Sequence, residues 1–331
     1  MLRNHWYLIC PSKDLTTKIF PQKILGENII LFRTKSGKAV ALEDRCCHRN
    51  VKLSLGYLNN ETVVCGYHGW EFNSEGQCTK IPSQLPDTKI PPKAVIKNYP
   101  VKEFNKWVWV FIGDEGNASK VDPPNIPEMN EWDFTYKTHV FEADLESAAE
   151  SLIDPYHIKY THKDSIKQLL GQIEEFPADF RINFLEDGIE GKYYRANTAA
   201  ITEKAYFGSE PQLEVYYRFY YPNISRLESR FKDRTLLILE HFMQVDDDKI
   251  SMMQITLWKN IFNFFPPFGR WFMAKKSDKI VNEDIALLRS QKGILDKTKD
   301  NLHEVSVKGD EISLSFRKYW RAKMREGDNK N

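Results

Sequence analysis

Length, composition and charge exclude several classes of protein. The chain has 331 residues, with 47 Lys and Arg against 46 Asp and Glu, and a formal net charge of +1. A nearly neutral chain gives no overall attraction to a polyanion, so we expect no nucleic-acid partner. At 41% hydrophobic and 28% charged residues the composition is that of an ordinary globular protein, and its length exceeds the size at which one core usually stops growing. Two domains are therefore expected.

The apolar segments predict neither a secretion signal nor a membrane span. Residues 1–6 lack the basic stretch, apolar run and small-residue cleavage site of a secretory signal. The most apolar segment, residues 261–274, contains two prolines and Arg270 and falls short of the roughly 18 apolar residues that cross a bilayer. We expect a cytoplasmic protein without a transmembrane segment.

The N-terminal third is predicted to be all-β. Short strand-like runs flank turns rich in Gly, Asn, Ser and Lys, such as residues 35–38. Residues 113–127 then concentrate Gly, Asp, Ser, Asn and three prolines, which is typical of a connection between domains. We place the domains at residues 1–115 and 116–331.

The remainder predicts an α+β domain. Residues 143–160 have a helical pattern, and residues 278–292 place several aliphatic side chains on one apolar face. Four strand-like runs lie between these helices, at residues 180–198, 213–231, 235–245 and 250–258.

Cysteine usage indicates a metal rather than disulfides. Cys46-x-His48, then sixteen residues, then Cys65-x-x-His68 puts one thiol and one imidazole on each of two loops. A structural zinc site is one interpretation, although zinc fingers usually pair Cys with Cys and His with His. A more specific interpretation is a [2Fe–2S] cluster in which two His replace two Cys on one of the irons, which is the Rieske arrangement.

A second group of metal-binding residue types lies near the first predicted helix. Asp154, His157 and His162 follow the pattern D-x2-H-x4-H, four residues after Glu150. On a regular helix Glu150, Asp154 and His157 share a face, whereas His162 lies about 140° round from His157. We therefore expect the helix to end or distort between the histidines. Two His and one carboxylate that leave positions free are typical of iron(II) sites that activate oxygen.

Both motifs resemble those of one family. Residues 46–49 (CCHR) and 65–70 (CGYHGW), followed by Gly76 and Ile81-Pro82, resemble the Rieske domain of ring-hydroxylating and related Rieske non-heme iron oxygenases. The sequence departs at Cys47 and Gly66, where family members very often carry proline. We expect Cys47 to pack against its surroundings rather than to bind metal.

The resemblance implies the ligands of the cluster and of a mononuclear Fe(2+). Cys46 and Cys65 would bind one iron of the [2Fe–2S] cluster, and His48 and His68 would bind the other. His157 and His162 would bind the mononuclear iron together with a carboxylate from a C-terminal helix. Residues 282–291 look like that helix, with Asp284 at the ligand position and Glu283 as its nearest competitor.

The resemblance also implies a catalytic role for Asp154. In the family pattern this carboxylate hydrogen-bonds a mononuclear-iron histidine and also a cluster histidine, here His68 of the partner subunit. Many relatives carry Asn where this chain has Glu150, which leaves Glu150 either as an acceptor for an iron ligand or as a plain helix residue.

The fold and activity follow from the same resemblance. It implies an α+β protein in which an all-β Rieske domain precedes a helix-grip (START-like) catalytic domain with an antiparallel sheet. It implies an oxygenase that takes O2 and electrons from an NAD(P)H-dependent reductase, directly or through a ferredoxin, to hydroxylate or oxidatively demethylate a small cyclic substrate. The chain length resembles the monooxygenase and O-demethylase branch, whose members are commonly homotrimers.

Alternative functions stay open at this point. A cis-dihydroxylating dioxygenase would share every ligand, a Rieske electron carrier would have no catalysis, and a zinc protein would be colourless. Substrate-lining residues are harder to identify, because aromatic side chains on strands more often pack in a core. The candidates by residue type are Tyr156, Tyr160, Phe207, His241, Phe242, Met253 and residues 262–272.

Overall fold

The computed structural model describes most of the chain as two compact units, residues 2–130 and 131–331. The described residues are 2–85, 87–163, 165, 181–196, 212–231, 233–262, 266–295 and 304–328. Within these ranges, no helix combines the length and the apolar character needed to cross a bilayer. The domain boundary at residues 115 and 116 stays a prediction.

The first unit contains three antiparallel sheets, with strand orders β1-β11-β10, β2-β3-β4-β9 and β5-β6-β7-β8. The strands are β1 His5–Pro11, β2 Phe20–Ile24, β3 Glu27–Arg33, β4 Ala39–Glu43, β5 Tyr57–Asn59, β6 Thr62–Val64, β7 Glu71–Phe72, β8 Cys78–Lys80, β9 Asn98–Tyr99, β10 Val101–Phe104 and β11 Trp107–Ile112. Short 3-10 helices occur at Ser12–Asp14, Leu53–Leu55 and Glu115–Asn117. The predicted all-β N-terminal domain is confirmed.

Two loops that carry the Cys and His residues follow β4 and β6. Their sulfur-bearing residues, Cys46 and Cys65, lie in a buried cluster with Val63 and Phe72 from the sheet β5-β6-β7-β8 and Leu42 from β4. The strands thus hold both loops against one apolar core, and this fixes the position of each loop relative to the other.

The described residues of the second unit form a seven-stranded antiparallel sheet with helices, in the order β12-β18-β17-β16-β15-β14-β13. Its strands are β12 Asp133–Glu142, β13 Arg181–Leu185, β14 Gly188–Ala196, β15 Gln212–Tyr220, β16 Ile224–Phe231, β17 Arg234–Asp246 and β18 Lys249–Lys259. The short helix α1 Glu128–Glu131 lies at the boundary between the units. The described helices of the second unit are α2 Leu145–Ser151, α3 His157–Thr161, α4 Pro266–Leu295 and α5 Glu311–Asp328, with a 3-10 turn at Lys308–Asp310. The predicted α+β domain with a large antiparallel sheet is confirmed.

The helices contact one side of this sheet, here called the helix-facing side. Ser225 Oγ of β16 donates to the carbonyl of Ala149 in α2 at 3.0 Å, and Thr256 Oγ1 of β18 lies 2.8 Å from Ser277 Oγ of α4. Phe219 of β15 meets Phe316 of α5 edge to face, with centroids 4.9 Å apart. Directly opposed residues in antiparallel strands project from the same face. The strand register, starting from these contacts, therefore identifies the residues that project from the helix-facing side.

Several predicted elements have different limits in the structure. The helix predicted at residues 143–160 is two helices, because Pro155 lacks an N–H and disfavours helical geometry at Asp154. Glu150, Asp154 and His157 therefore do not share one continuous helix. The strand-like runs at residues 180–198 and 213–231 contain the hairpins β13–β14 and β15–β16, each with a turn inside the predicted strand.

Candidate metal centres

The two loops after β4 and β6 have similar backbone geometry. In the first loop the N–H of Asn50 donates to the carbonyl of Cys46 at 2.9 Å, and the N–H of Cys46 donates to Val51 at 2.8 Å. In the second, Gly69 donates to Cys65 at 3.0 Å, and Cys65 donates to Trp70 at 2.8 Å. Each loop is a tight turn that presents a Cys and a His.

Two glycines allow the second loop to take this shape. Gly69 has φ +70°, a left-handed conformation that most residues adopt at a cost. At Gly66 an added Cβ would lie 2.7 Å from the carbonyl oxygen of Leu55, closer than any normal contact. The glycine at position 66, where relatives often have proline, thus permits a close approach to the 3-10 turn Leu53–Leu55.

The four predicted cluster ligands lie together. Cys46 is 1% exposed and Cys65 is 3% exposed, and their thiols interact with each other. The rings of His48 and His68 have centroids 4.7 Å apart, and Trp70 stacks on His48 at 4.6 Å. A hydrogen bond from the backbone of His48 to the Cys46 thiol connects the sulfur pair to the imidazole pair.

The donor set fits a Rieske [2Fe–2S] cluster. Burial raises the pKa of the Cys46 thiol to about 11, and the adjacent Cys65 thiol contributes to the shift. Two such thiols become thiolates when a metal takes the place of their protons. The buried Nδ1 atom of His48 has no hydrogen-bond partner among the described residues, which leaves its lone pair available to a metal.

Replacing Cys46 by serine or His68 by alanine is expected to remove the visible and electron paramagnetic resonance spectrum of the cluster, since each would be one of only four protein ligands. Cys47→Ser is the matched control. Cys47 lies in the same loop but packs partly buried against the core, so its variant should keep the spectrum. An unchanged spectrum in Cys46→Ser or His68→Ala would remove that residue from the ligand set.

His157, His162 and Asp284 lie together in the second unit. Their potential ligand atoms are all within 4.8 Å of one another. Asp284 Oδ1 is 3.2 Å from Nε2 of His162 and 3.7 Å from Nε2 of His157. His157 begins α3, His162 directly follows its last residue, and Asp284 lies inside α4. The end of α3 between the histidines allows both Nε2 atoms to approach one carboxylate.

Each of the two imidazoles also contacts a separate carboxylate through Nδ1. His162 Nδ1 is 2.9 Å from Glu283 Oε2, and His157 Nδ1 is 3.6 Å from Asp154 Oδ2. Metal-binding histidines usually give their second ring N–H to a carboxylate or carbonyl, which fixes the tautomer and the ring orientation. Glu283 and Asp284 therefore contact different nitrogens of the His162 ring, Nδ1 and Nε2 respectively. The two-His, one-carboxylate set formed with Asp284 fits a mononuclear Fe(2+).

Two further carboxylates lie close to this site. Burial raises the pKa of Asp154, but the adjacent His157 ring and the backbone N–H groups of Tyr156 and His157 outweigh burial and hold that pKa below its usual value. Glu150 binds Arg317 of α5 through Nε at 2.5 Å and Nη2 at 3.1 Å. The contacts of Glu150 are thus those of an ion pair between α2 and α5, rather than of an acceptor for an iron histidine.

Sequence inspection missed residues on the strands near this site. Glu240 of β17 and Gln254 of β18 are opposed and hydrogen-bonded on the helix-facing side, at 3.2 Å. Of the aromatic candidates, Phe242 shares their side, His241 projects from the opposite side, and Phe207 lies outside the described residues. The signal that could have found Glu240 is a carboxylate within the apolar run of residues 236–243.

The sequence matches two known domain families. Residues 5–100 match the Rieske [2Fe-2S] domain, and residues 141–326 match the vanillate O-demethylase oxygenase C-terminal domain. The iron-sulfur subunit of the toluene-4-sulfonate monooxygenase system of Comamonas testosteroni is 34% identical over 168 residues, which are 50% of this chain and 48% of that subunit. The chain thus spans about half the length of this relative.

Two further similarities cover most of the chain. The 5,5'-dehydrodivanillate O-demethylase oxygenase subunit of Sphingobium sp. is 24% identical over 324 residues, which are 91% of this chain and 72% of that subunit. The crystal structure of dicamba monooxygenase bound to dicamba covers 100% of this chain and 99% of its own, with a TM-score of 0.84 at 17% identity. The match of the C-terminal domain family to more than half of the chain, together with the Rieske domain before it, shows that this chain belongs to the Rieske non-heme iron oxygenases.

Proposed function

We propose that the chain is a Rieske non-heme iron monooxygenase that hydroxylates or oxidatively demethylates a small cyclic organic substrate. The observation that carries this proposal is the convergence of His157, His162 and Asp284 in a chain that also has a Rieske domain. An electron carrier without catalysis has no need of this second site. The names of the relatives support a cyclic substrate, since toluene-4-sulfonate and 5,5'-dehydrodivanillate are aromatic.

The protein side chains hold and orient the reacting groups. When bound, the cluster would supply single electrons, and the Fe(2+) would supply a site for oxygen activation with positions left free. Glu283 and Asp154 keep the His162 and His157 rings turned toward Asp284. Overall, one atom of O2 enters the substrate, and the other leaves as water with two electrons and two protons. A hydroxylated methyl ether then breaks down to an alcohol and formaldehyde.

The proposed partners are O2, the substrate, and an NAD(P)H-dependent reductase acting directly or through a ferredoxin. We further propose a cytoplasmic homotrimer in which Asp154 hydrogen-bonds both His157 and His68 of the partner subunit. The exposure of His68 supports this arrangement, because an exposed imidazole is accessible to a neighbouring subunit. Size-exclusion chromatography with light scattering tests the trimer, and a monomeric active protein would contradict it.

Substrate-dependent oxygen consumption tests the activity. The iron-loaded protein, a surrogate reductase and NADH are combined with small methoxylated, aromatic and alkaloid-like compounds, and products are analysed after reaction in 18O2. We expect oxygen uptake with one labelled atom in the product, or formaldehyde with a demethylated product. Two labelled atoms in a cis-diol would identify a dioxygenase, and a cluster that accepts electrons without any oxygen uptake would favour an electron carrier.

A further inference from the structure

A buried carboxyl group in the second unit has no ion pair with the described residues, whereas buried acids are normally paired. Glu240 is 4% exposed. Among the described residues its hydrogen-bond partner is the neutral side chain of Gln254, whose Nε2 lies 3.2 Å from Oε1. Glu228 on the same sheet is also 4% exposed, but it accepts from Arg226 at 2.6 Å and from Arg230 at 2.7 Å. Burial of an acid without a cation is costly, so such a group often has a functional role.

Glu240 lies on the side of the sheet that carries the iron-binding helices. Its opposed residue on β16 is Ser225, which hydrogen-bonds α2, and its opposed residue on β18 is Gln254, two positions before Thr256, which contacts α4. Burial raises the pKa of Glu240 to about 8, and the negative charge of Asp284 contributes to this shift. The carboxyl group therefore lies within electrostatic range of the proposed iron ligand.

Two cations on this side, among the described residues, are paired with other carboxylates. Lys137, opposite Gln254 on β12, binds Asp278 of α4 at 2.6 Å, and Arg317 of α5 binds Glu150. The surroundings of Glu240 thus combine the negative charge of Asp284 with the amide of Gln254. An anion brought to this position would meet repulsion, whereas an N–H or O–H donor would find acceptor atoms.

We propose that Glu240, positioned by Gln254, is a specificity-determining residue that binds an amine, amide N–H or hydroxyl group of the substrate. A cationic amine placed beside Glu240 favours the ionised form of this carboxyl group. The carboxylate then has about four acceptor positions, of which Gln254 occupies one. A substrate with an N–H or O–H donor would occupy a second acceptor position of Glu240. A substrate without a donor would leave that position of the buried carboxyl group unpaired. This inference rests on the proposed function and predicts a neutral or cationic donor-bearing ring rather than a sulfonate or carboxylate.

Calorimetric binding of four matched probes to the iron-loaded protein tests this inference. The probes are 4-methoxybenzylamine, 4-methoxybenzyl alcohol, 4-methoxytoluene and 4-methoxybenzoate, which share a ring and differ in one group. The wild-type protein is expected to bind the amine and the alcohol roughly tenfold or more tightly than the toluene and the benzoate. Glu240→Leu should abolish that preference, and Glu240→Gln should reduce it most for the amine.

Glu228→Gln is the matched control, because it changes a buried glutamate on the other face of the same sheet. Glu228→Gln should keep the wild-type order of the four dissociation constants, even if the substitution lowers the melting temperature. A wild-type preference for the benzoate, an unchanged order in Glu240→Leu, or no binding of any probe would each overturn the inference. Oxygen uptake is recorded separately: donor-selective binding without turnover of any compound would contradict the proposed function and leave the binding role intact.

Discussion

Asp284→Ala is expected to lose the mononuclear iron and all substrate turnover while it keeps a normal Rieske spectrum. The carboxylate is the group that both Nε2 atoms face, at 3.2 and 3.7 Å. A three-ligand site cannot readily spare one ligand, and His157→Ala and His162→Ala should behave in the same way. The two iron centres would hold their metals through different residues, so the cluster should be unaffected. Iron analysis, the visible spectrum and oxygen uptake measure the three quantities.

Glu283→Gln is the control for Asp284→Ala. Glu283 contacts the Nδ1 atom of His162 rather than the nitrogen that faces Asp284, so we expect it to orient this imidazole and not to bind the metal itself. Loss of such a partner typically lowers metal affinity by about 10- to 100-fold, so excess iron should restore Glu283→Gln but not Asp284→Ala. A full iron complement in Asp284→Ala, with loss only in Glu283→Gln, would transfer the ligand role to Glu283.

Asp154→Asn is expected to fold, keep both metals and accept electrons at the cluster, yet fail to reoxidise the cluster when substrate and oxygen are added. Asparagine keeps an oxygen that can accept from the Tyr156 N–H, at 2.9 Å in the wild type, so the start of α3 should be preserved. It loses the charge that strengthens a hydrogen bond to metal-bound imidazole. Single-turnover oxidation of the pre-reduced cluster, followed by stopped-flow absorbance, measures the effect.

The comparison with iron-saturated Glu283→Gln makes the Asp154→Asn result specific. Both variants remove a carboxylate charge next to an iron histidine, but only Asp154 has a proposed second contact, with His68 of the partner subunit. Glu283→Gln should therefore reoxidise its cluster at close to the wild-type rate. If Asp154→Asn also does so, the bridge between subunits is wrong, and the electron path through it is wrong as well.

The sequence predicts the local motifs well because their chemistry is local. The spacing within residues 46–48 and 65–68 is dictated by one tight turn in each case, and each turn is closed by its own backbone hydrogen bonds. The end of the helix between His157 and His162 follows from helical geometry once both histidines are assigned to one metal. The order of β and α elements likewise depends on periodicity along the chain.

Other features depend on contacts between distant segments, which periodicity does not show. The hairpin turns at residues 186–187 and 221–223 lie within runs that the sequence pattern predicts as single strands, although Asp187-Gly188 and Pro222-Asn223 are turn-forming residues. The strand-like pattern on both sides of each turn masks the break. The ion pair of Glu150 with Arg317 joins residues that are 167 positions apart. Glu283 and Asp284 are neighbours in sequence, and only packing decides which ring nitrogen of His162 each one meets.

The proposed iron ligands all come from α3, α4 and the residue that follows α3, whereas the sheet contributes none of the three. A substitution on the helix-facing side of β16, β17 or β18 can therefore change the shape or charge presented to a substrate without removing a metal ligand. Selection can change the strand positions one at a time, because each successive variant keeps the three proposed iron ligands and with them the reaction with oxygen. Proteins that share this fold at low sequence identity can in this way diverge in substrate while the reaction is inherited unchanged.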